Sequence, residues 1–349
     1  MIILSIETSC DDTSFAIGSF DNGSMRLLAN SVSSQTEIHK EYGGVVPNLS
    51  AREHLQNYRP ILMETLERAN TTLADINCIS VTAGPGLIPS LLVGATVAKT
   101  LAYALQKPLV PIHHVEGHIY SNWLAENSVP LAEKIPFPLL ALVVSGGHTQ
   151  LIYMKEHLCY EIIGETLDDA CGEAYDKVAR MLGIGYPGGP AVSKLAENGN
   201  PKAFAFPRPM SHSADFNFSF SGLKTAVLYA IKKQDTGRPL DRKFMADIAA
   251  SFQSAVIDIL AKKTEAAVEE RRPKSLLLCG GVSANKALRQ TFSQIMPGSV
   301  FMPEQIYTGD NAAMILPPTY LRLKRFSLNH YRHGWRTLIP SADLPLQVS

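Results

Sequence analysis

A histidine-rich segment is the feature of this 349-residue chain that most directly suggests chemistry. The segment reads His113-His114-Val115-Glu116-Gly117-His118. His114 and His118 are four residues apart, so on a helix they share one face and can hold one metal ion. Such a pair is also common as a purely structural feature. A third ligand is needed to decide between the two interpretations.

The glutamate within this segment is not predicted to be the third ligand. On a helix Glu116 lies about 200° away from His114. The order H-x-E-x-H also differs from the H-E-x-x-H motif of zinc proteases, in which Glu directly follows the first His. The inverted H-x-x-E-H motif fails as well, because Gly117 follows Glu116. A metalloprotease would therefore lack its general base here.

Asp310 is the candidate carboxylate for this site. It lies in Thr308-Gly309-Asp310-Asn311-Ala312-Ala313-Met314, where a loop is predicted to enter a short helix. Asp at such a position can simply cap the helix. It can also complete a site of two His and one carboxylate with open metal positions. Both interpretations remain open from these residues alone.

Turns of small residues recur at the ends of predicted strands. They are Thr8-Ser9, Gly84-Pro85-Gly86, Ser145-Gly146-Gly147, Gly188-Gly189 and Gly280-Gly281. Glycine lets backbone N–H groups approach an anion closely, and a helix N-terminus adds a favourable dipole. A single turn would be an ordinary tight turn, and none matches Walker A or G-x-G-x-x-G. Their repetition predicts a phosphate or nucleotide in a cleft between two lobes.

The elements that must position these residues alternate between strand and helix. Strands are predicted at 2–6, 14–19, 78–82 and 109–112, with helices at 51–70 and 88–106. A strand–turn–strand pattern at 139–154 repeats the plan of 4–20. A strand–turn–helix pattern at 275–289 repeats the plan of 78–94. This indicates an internal duplication with a helical insertion at about 166–265.

Composition limits the class of protein. The chain has 32 Lys+Arg and 32 Asp+Glu, and it is 46% hydrophobic and 18% charged. It can bury a large core, its length favours about two domains, and any nucleic acid must be bound through a local patch. The five cysteines are scattered without a C-x-x-C pair, which argues against disulfides. No signal peptide or membrane-length apolar run is apparent, so we predict a cytoplasmic protein without a membrane partner.

Taken together, these segments closely resemble the tRNA N6-adenosine threonylcarbamoyltransferases, the TsaD/Kae family. The resemblance runs from residue 1 to about 315. The motifs that carry it are SIETSCDDT (5–13), YGGVVPNLSAREH (42–54), TAGPGL (82–87), HHVEGH (113–118), VVSGGHTQL (143–151), DDACGEAYDKVARMLG (168–183), YPGGP (186–190), FPRPM (206–210), FSFSGLKT (218–225), CGGVSAN (279–285) and DNAAM (310–314).

The resemblance implies a fold and an activity. The fold is the α/β actin-like/Hsp70/sugar-kinase (ASKHA) ATPase fold, with two duplicated RNase H-like lobes around a nucleotide cleft. We assign residues 1–110 to the first lobe and 111–320 to the second, with the segment after about 320 packing back on the first. The implied enzyme is an acyltransferase that moves threonylcarbamoyl from threonylcarbamoyl-adenylate to N6 of adenine 37 in tRNAs reading codons that start with A, and AMP leaves.

The resemblance also implies roles for particular residues. The metal ligands are His114, His118 and Asp310, for one divalent ion, Fe²⁺ in the cell with Zn²⁺ as a substitute. The adenylate or an ATP-type nucleotide is bound by Val143, Val144, Ser145, Gly146, Gly147, Asp176, Gly189 and Asn285. Asp11 matches an acidic position near the reaction centre. Val143 stands where archaeal and eukaryotic relatives place a metal-binding tyrosine, so the bacterial type is implied.

The resemblance implies partners as well: the tRNA anticodon loop, a paralogous dimerisation subunit (TsaB-like) and a P-loop ATPase subunit (TsaE-like). The chain departs from the family at Asp12, where Glu is usual, and at Pro317-Pro318, which predicts an early helix end. Residues 317–342 carry five Lys and Arg (Arg322, Lys324, Arg325, Arg332 and Arg336) and no acid. This segment is either a solvated surface or a tRNA backbone contact. A silent scaffold and an ATP-dependent kinase of the same fold remain the alternative functions.

Overall fold

The computed structural model describes residues 1–124, 129–131, 134–234 and 239–346. The strands in these ranges are β1 (Ile2–Glu7), β2 (Asp12–Asp21), β3 (Ser24–Ser34), β4 (Cys78–Gly84), β5 (Leu109–His113), β6 (Val129–Pro130), β7 (Leu139–Val144), β8 (Thr149–Met154), β9 (Tyr160–Glu165), β10 (Ser275–Cys279) and β11 (Val300–Phe301). The helices are α1 (Thr36–Lys40), α2 (Pro47–Arg68), α3 (Ile88–Leu105), α4 (His114–Tyr120), α5 (Cys171–Leu182), α6 (Gly188–Ala196), α7 (Ser221–Gln234), α8 (Arg242–Arg271), α9 (Lys286–Ile295), α10 (Leu316–His330) and α11 (Gly334–Thr337).

Five strands of the first sheet follow the same order as the five strands of the second, which confirms the predicted two-lobe α/β fold. The first sheet is ordered β5-β4-β1-β2-β3-β6 and the second β11-β10-β7-β8-β9. In each, three antiparallel strands (β1–β3 and β7–β9) adjoin two parallel strands. The sequence did not predict β3 and β9, the strands that complete each antiparallel set.

The central strands are buried on both faces, as continuous apolar runs require. Every residue of β4 (CISVTAG) and β7 (LLALVV) is buried. One apolar cluster fills the space between the first sheet and helices α2 and α3, and another lies between the second sheet and helices α5 to α9. A third cluster, which includes residues of α4 and α10, joins the two sheets.

Strand register brings the carboxyl ends of the central strands to one place. Ile6 pairs with Val81 between β1 and β4, and Val143 pairs with Cys279 between β7 and β10. Ligands in open α/β sheets bind at such carboxyl ends. The small-residue turns after β1, β4, β7 and β10 therefore lie where a bound nucleotide is expected.

The described part of the insertion is helical, and the chain after 320 lies against the first sheet. Leu109 donates its N–H to the Tyr331 carbonyl over 3.1 Å, and Ser341 donates to the Ala83 carbonyl over 2.9 Å. The predicted boundary after residue 110 falls within β5, which is paired with β4 in the first sheet. The division into 1–110 and 111–320 remains a prediction.

The two consecutive prolines do not end a helix as predicted. A 3-10 segment over Ala312–Ile315 leads directly into α10, and Pro317 and Pro318 lie in the first turn of that helix. The N–H groups of a first turn have no intrahelical partner, so proline costs little there. The prolines therefore begin a helix.

Within the described ranges, two helices are long and apolar enough to cross a membrane by length and composition alone. They are α3, Ile88–Leu105, and α8, Arg242–Arg271. The most apolar window of α8 is 67% buried inside the protein, as in a core helix, and that of α3 is 39% buried. The sequence analysis expected no apolar run of membrane length, and α3 is an exception to that expectation. The exposed apolar side chains of α3 are accounted for by the proposed function.

Candidate metal centre and adjoining nucleotide site

The structure brings the three predicted metal ligands together. His114 and His118 lie on α4, directly after β5, and Asp310 precedes the 3-10 segment Ala312–Ile315. The candidate ligand atoms of the three residues all lie within 4.8 Å of one another. Asp310 does not cap the segment that follows it, because Asn311 accepts the Met314 N–H as its N-cap. The capping interpretation of Asp310 is therefore wrong.

The first histidine is held by a buried carboxylate and a hydroxyl at the end of β1. His114 Nδ1 lies 3.0 Å from Ser9 Oγ and 3.5 Å from Glu7 Oε2. Glu7 is itself fixed, since it accepts the Ser9 N–H and the Thr82 hydroxyl. With Nδ1 engaged in this way, Nε2 faces Asp310 Oδ1 at 3.6 Å. A carboxylate behind a histidine is the usual way to orient a metal-binding imidazole.

The charges of the cluster favour a bound cation. Burial alone would lower the pKa of His114, but Asp310 and Glu7 outweigh it and raise that pKa to about 9. Burial would raise the pKa of Asp310, but the positive charges of His114 and His118 hold it well below its ordinary value. His118 Nε2 lies 3.2 Å from Asp310 Oδ1, and His118 Nδ1 is buried without a hydrogen-bond partner among the described residues. Two imidazoles and one carboxylate fit Fe²⁺ or Zn²⁺ with open positions.

The loop after β1 places two further carboxylates near the cluster. Burial raises the pKa of Asp11, and the negative charge of Asp310 raises it further. Burial, Asp310 and Asp11 raise the pKa of Asp12 to about 7. Asp12 Oδ1 is buried with no hydrogen-bond partner among the described residues. The three carboxylates repel one another, and a cation between them would relieve that repulsion.

A buried histidine from α2 holds this loop from behind. His54 Nδ1 lies 2.7 Å from Thr13 Oγ1, and its Nε2 lies 3.1 Å from the Cys10 carbonyl. Ser50 Oγ donates to the same carbonyl over 2.5 Å. These contacts fix the backbone on both sides of Asp11.

The turn after β7 lies directly beside the metal candidate. Within Ser145-Gly146-Gly147, the Ser145 N–H donates to the His148 carbonyl over 2.8 Å and so closes the turn. Among the described residues, Gly146 and Gly147 donate their N–H groups to no protein acceptor, and a Cβ on either would meet open space. The His148 ring lies 6.1 Å from the His114 ring, centroid to centroid. An anion on this turn would therefore lie next to the histidine–aspartate cluster.

Two further predicted adenylate residues, Asp176 and Gly189, are connected to this turn through α5 and the start of α6. Gly172, in the first turn of α5, packs so closely that a Cβ would lie 2.6 Å from the Ser145 carbonyl. Asp176 on α5 accepts the Gly188 N–H over 2.7 Å at the start of α6, next to Gly189. A Cβ on Gly189 would meet open space. Burial raises the pKa of Asp176.

Three of the predicted adenylate-binding residues have side chains that make structural contacts within the protein. The side chains of Val143 and Val144 are fully buried in β7, so only their backbone can support the turn. Asn285 caps α9 by accepting the Leu288 N–H, and its Nδ2 donates to Ser193 and Gln253. Asn285 therefore braces α6 against α9.

Comparison with known proteins agrees with this geometry. A family model described as "TsaD: tRNA N6-adenosine threonylcarbamoyltransferase" matches residues 26–316. The tRNA N6-adenosine threonylcarbamoyltransferase of Burkholderia thailandensis is 47% identical over 351 residues, covering 99% of each chain. That of Thermosipho melanesiensis is 49% identical over 318 residues, covering 90% of this chain and 93% of its own.

The chain belongs to the tRNA N6-adenosine threonylcarbamoyltransferase family. Solved structures of low identity add the fold alone. HypF from T. kodakarensis has a TM-score of 0.60 at 15% identity, over 96% of this chain and 48% of its own. A Clostridium difficile activator of 2-hydroxyisocaproyl-CoA dehydratase with bound ADPNP has a TM-score of 0.51 at 12% identity, over 93% and 96%. These neighbours support the ASKHA-type two-lobe architecture.

The site of this family member also contains residues that the sequence did not single out. Glu7 and His54 act through contacts with residues 41 to 107 positions away. His148 lies beside His114 and His118, and burial together with their charges lowers its pKa to about 3. The family motifs contain all three residues, but only the folded arrangement shows what they touch.

One of the five basic residues predicted as a tRNA contact at 317–342 is paired within the protein. Arg322 is only 18% exposed and is paired with Glu116, so it is not available to a tRNA backbone. Lys324, Arg325, Arg332 and Arg336 are exposed. The prediction of a tRNA contact remains for these four.

Proposed function

We propose that this chain transfers the threonylcarbamoyl group of threonylcarbamoyl-adenylate to N6 of adenine 37 in tRNAs that read codons starting with A. The observation that carries the proposal is one juxtaposition. A cluster of two histidines and an aspartate lies beside the Ser145-Gly146-Gly147 turn, and the His114 ring lies 6.1 Å from the ring of His148. In the part of the chain that the structure describes, the N–H groups of Gly146 and Gly147 have no protein acceptor. This geometry can hold a phosphate and an acyl carbonyl side by side, as the reactive end of an acyl-adenylate requires.

In this proposal His114, His118 and Asp310 hold one divalent cation, Fe²⁺ in the cell with Zn²⁺ as the alternative. Such an ion, when bound, polarises an acyl carbonyl as a Lewis acid. The chain's own contribution is to fix its ligands: Glu7 and Ser9 orient the His114 ring from behind. This outer support would orient the His114 ring toward a bound ion.

The turn after β7 binds the phosphate of the adenylate. The N–H groups of Gly146 and Gly147 stabilise the charge that develops on AMP as the acyl–phosphate bond breaks. Asp176 and Gly189 line the nucleoside end, where the second oxygen of Asp176 accepts a ribose hydroxyl. Val143, Val144, Ser145 and Asn285 shape the site by holding β7, the turn and α9 in place.

Asp11 orients and deprotonates the attacking amine. The N6 nitrogen forms the new bond to the carbonyl carbon, the bond from that carbon to the phosphate oxygen breaks, and one N6 proton passes to the Asp11 carboxylate. Burial raises the pKa of Asp11, which makes the carboxylate a better proton acceptor than an exposed aspartate. An unpaired anticodon-loop base can enter such a pocket.

The direct test combines purified protein, its partner subunits, threonylcarbamoyl-adenylate and unmodified tRNA, and the modified nucleoside is quantified by mass spectrometry. We expect modification by the natural protein and at least a hundredfold loss in the His114→Ala variant. His212→Ala, which changes an exposed histidine, is the control and should be fully active. Equal activity of His114→Ala and the natural protein would contradict the assignment of the site. A tRNA with guanine at position 37 should not be modified.

We further propose that a paralogous TsaB-like subunit docks on the apolar groove between α2 and α3, and that a TsaE-like P-loop ATPase joins the complex in the cytoplasm. Leu55 and Leu92, which line the groove, are 57% and 49% exposed. A paralogue with the same sheet would present equivalent helices, and burial of two such faces explains the exposed apolar surface of α3. In size-exclusion chromatography with the subunit, Leu92→Asp should prevent the heterodimer. Ile339→Asp, at an exposed isoleucine elsewhere, should not.

A further inference from the structure

Glu116 lies between the two predicted histidine ligands in sequence, but its side chain is used elsewhere. The carboxylate is fully buried. The Tyr160 hydroxyl, from β9, donates to Glu116 Oε1 over 2.5 Å. Arg322, from α10, donates through one NH2 group to Oε1 at 3.1 Å and to Oε2 at 3.0 Å. The face of α4 opposite the metal candidate is therefore held by a buried ion pair.

This ion pair joins the two segments that carry the metal ligands. Glu116 is on α4 with His114 and His118. Arg322 is on α10, which continues from Asp310 through the 3-10 segment Ala312–Ile315. The chain from Asp310 to Arg322 thus contacts α4 at the ligand cluster and again, further along, at the ion pair.

Between these two contacts, α4 and the 3-10 segment Ala312–Ile315 approach each other closely. Gly117 packs against the 3-10 segment, and a Cβ at that position would lie 2.9 Å from Ile315 Cγ2 and 3.0 Å from Met314 Cγ. With the segments already in contact at Gly117, the ion pair fixes how α4 is rotated against α10. Rotation of α4 about its axis would move the histidine nitrogens relative to the Asp310 oxygens.

We propose that Glu116 and Arg322 are positioning residues that set the geometry, and hence the affinity, of the metal centre. This inference rests on the proposed metal-binding role of His114, His118 and Asp310. Arg322 reaches both oxygens through one terminal nitrogen of a rigid, planar guanidinium, whereas lysine keeps the charge but carries it at the end of a flexible four-carbon chain. Groups that contact a metal ligand directly typically change metal affinity by about 10- to 100-fold when altered, and Glu116 and Arg322 act one step further away, through the backbone of α4.

The test compares Arg322→Lys with the natural protein in three measurements on the full chain. The Kd for Zn²⁺ is measured by competition with a chromogenic chelator. The absorption spectrum of the Co²⁺-loaded protein reports the ligand geometry, and urea unfolding without metal reports stability. Arg208→Lys is the matched control, because Arg208 pairs with Asp258 at 2.8 Å in a place without metal ligands.

We expect Arg322→Lys to weaken Zn²⁺ binding by about tenfold, the lower end of that range, and to alter the Co²⁺ spectrum, with Arg208→Lys unchanged in both. A lower unfolding midpoint with the natural Kd and spectrum would show that the pair only stabilises the fold, and would overturn the proposal. Absence of Zn²⁺ and Co²⁺ binding by the natural protein would instead overturn the metal assignment itself.

A second variant keeps the ion pair and so keeps the test valid if Arg322→Lys fails to fold. Tyr160→Phe removes only the hydroxyl that donates to Glu116. We expect a folded protein with a shifted Co²⁺ spectrum and a Zn²⁺ affinity reduced by up to about tenfold. An unchanged spectrum and Kd in Tyr160→Phe would count against the proposal.

Discussion

At the scale of single residues, the main electrostatic feature is the convergence of Asp11, Asp12 and Asp310. Asp12 is the clearest case, because burial and its two acidic neighbours raise its pKa from 3.8 to about 7. In the unfolded chain the same group ionises near its ordinary value. The folded protein therefore binds more protons than the unfolded chain between about pH 4 and pH 7, so its stability falls as pH rises through this window.

Replacing Asp12 should remove this pH dependence. We expect Asp12→Asn, without metal, to be more stable than the natural protein at pH 8 by roughly 1–3 kcal/mol, and the difference should largely vanish at pH 4. Urea unfolding at both pH values measures it, with Asp21→Asn at an exposed position as the control. A constant difference between the two variants at pH 4 and pH 8 would contradict the account.

The sequence predicted the metal candidates but not what surrounds them. His114 and His118 follow from their spacing, and Asp310 from its resemblance to a family motif. Glu116 was correctly excluded as a ligand by helical geometry, but its partner Arg322 is 206 residues away. Glu7 likewise reaches His114 across 107 residues. Contacts of this kind depend on the tertiary fold, and no local pattern encodes them.

At the scale of elements, continuous apolar runs were predicted well and half-exposed strands were not. β1, β4, β7 and β10 are central and buried, and most of their residues are apolar. β3 reads SMRLLANSVSS and β9 reads YEIIGE, so both mix polar and apolar residues. Each is the third strand of an antiparallel set, β3 beside β2 and β9 beside β8. The two prolines at the start of α10 were misread because their position within the helix was unknown.

Helix α3 is fitted to the loop of the active site at a glycine. A Cβ on Gly94 would collide with the hydroxyl of Thr8, which donates to the Ser90 carbonyl over 3.0 Å in the same helix. Alanine improves helix propensity by about 1 kcal/mol, but overpacking costs about 1–3 kcal/mol. The cost of the collision should exceed the gain in helix propensity, because Thr8 lies in a buried turn that cannot move freely.

We therefore expect Gly94→Ala to lower the free energy of unfolding by about 1–2 kcal/mol and to reduce transfer, since Thr8 leads into the Asp11 loop. Urea unfolding and the transfer assay measure the two effects. Gly222→Ala on α7 is the control, because its nearest contact would be an ordinary 3.4 Å to Pro209 Cγ. A Gly94→Ala protein as stable as Gly222→Ala would refute this packing argument.

At the scale of the whole molecule, the formal net charge of zero means that tRNA is not attracted by the chain as a whole. The sequence analysis identified one local basic patch in the C-terminal segment. Its exposed cations are Lys324, Arg325, Arg332 and Arg336. Arg336 lies over the Trp335 ring at 4.8 Å, which holds that guanidinium at the surface. A chain of zero net charge can attract tRNA only through local patches such as this segment.

Reversing two of these charges should weaken tRNA binding in a salt-dependent way. For Arg332→Glu with Arg336→Glu, we expect the slope of log K against log salt to become shallower by about two. Filter binding of tRNA to the assembled complex at several salt concentrations measures it. Lys232→Glu with Lys233→Glu, an equal charge change on α7, should leave the slope as it was. An unchanged slope in the Arg332/Arg336 variant would exclude the contact.

The most direct measurement of the central claim is transfer as a function of bound metal. Protein freed of metal by chelation is titrated anaerobically with Fe²⁺ or Zn²⁺ in the presence of partners, threonylcarbamoyl-adenylate and tRNA, and modified adenosine is counted at each step. The account predicts that activity rises with the metal and reaches its plateau at about one ion per chain, whereas His118→Ala stays inactive throughout. Full activity of the metal-free protein, or equal activity of His118→Ala, would contradict it.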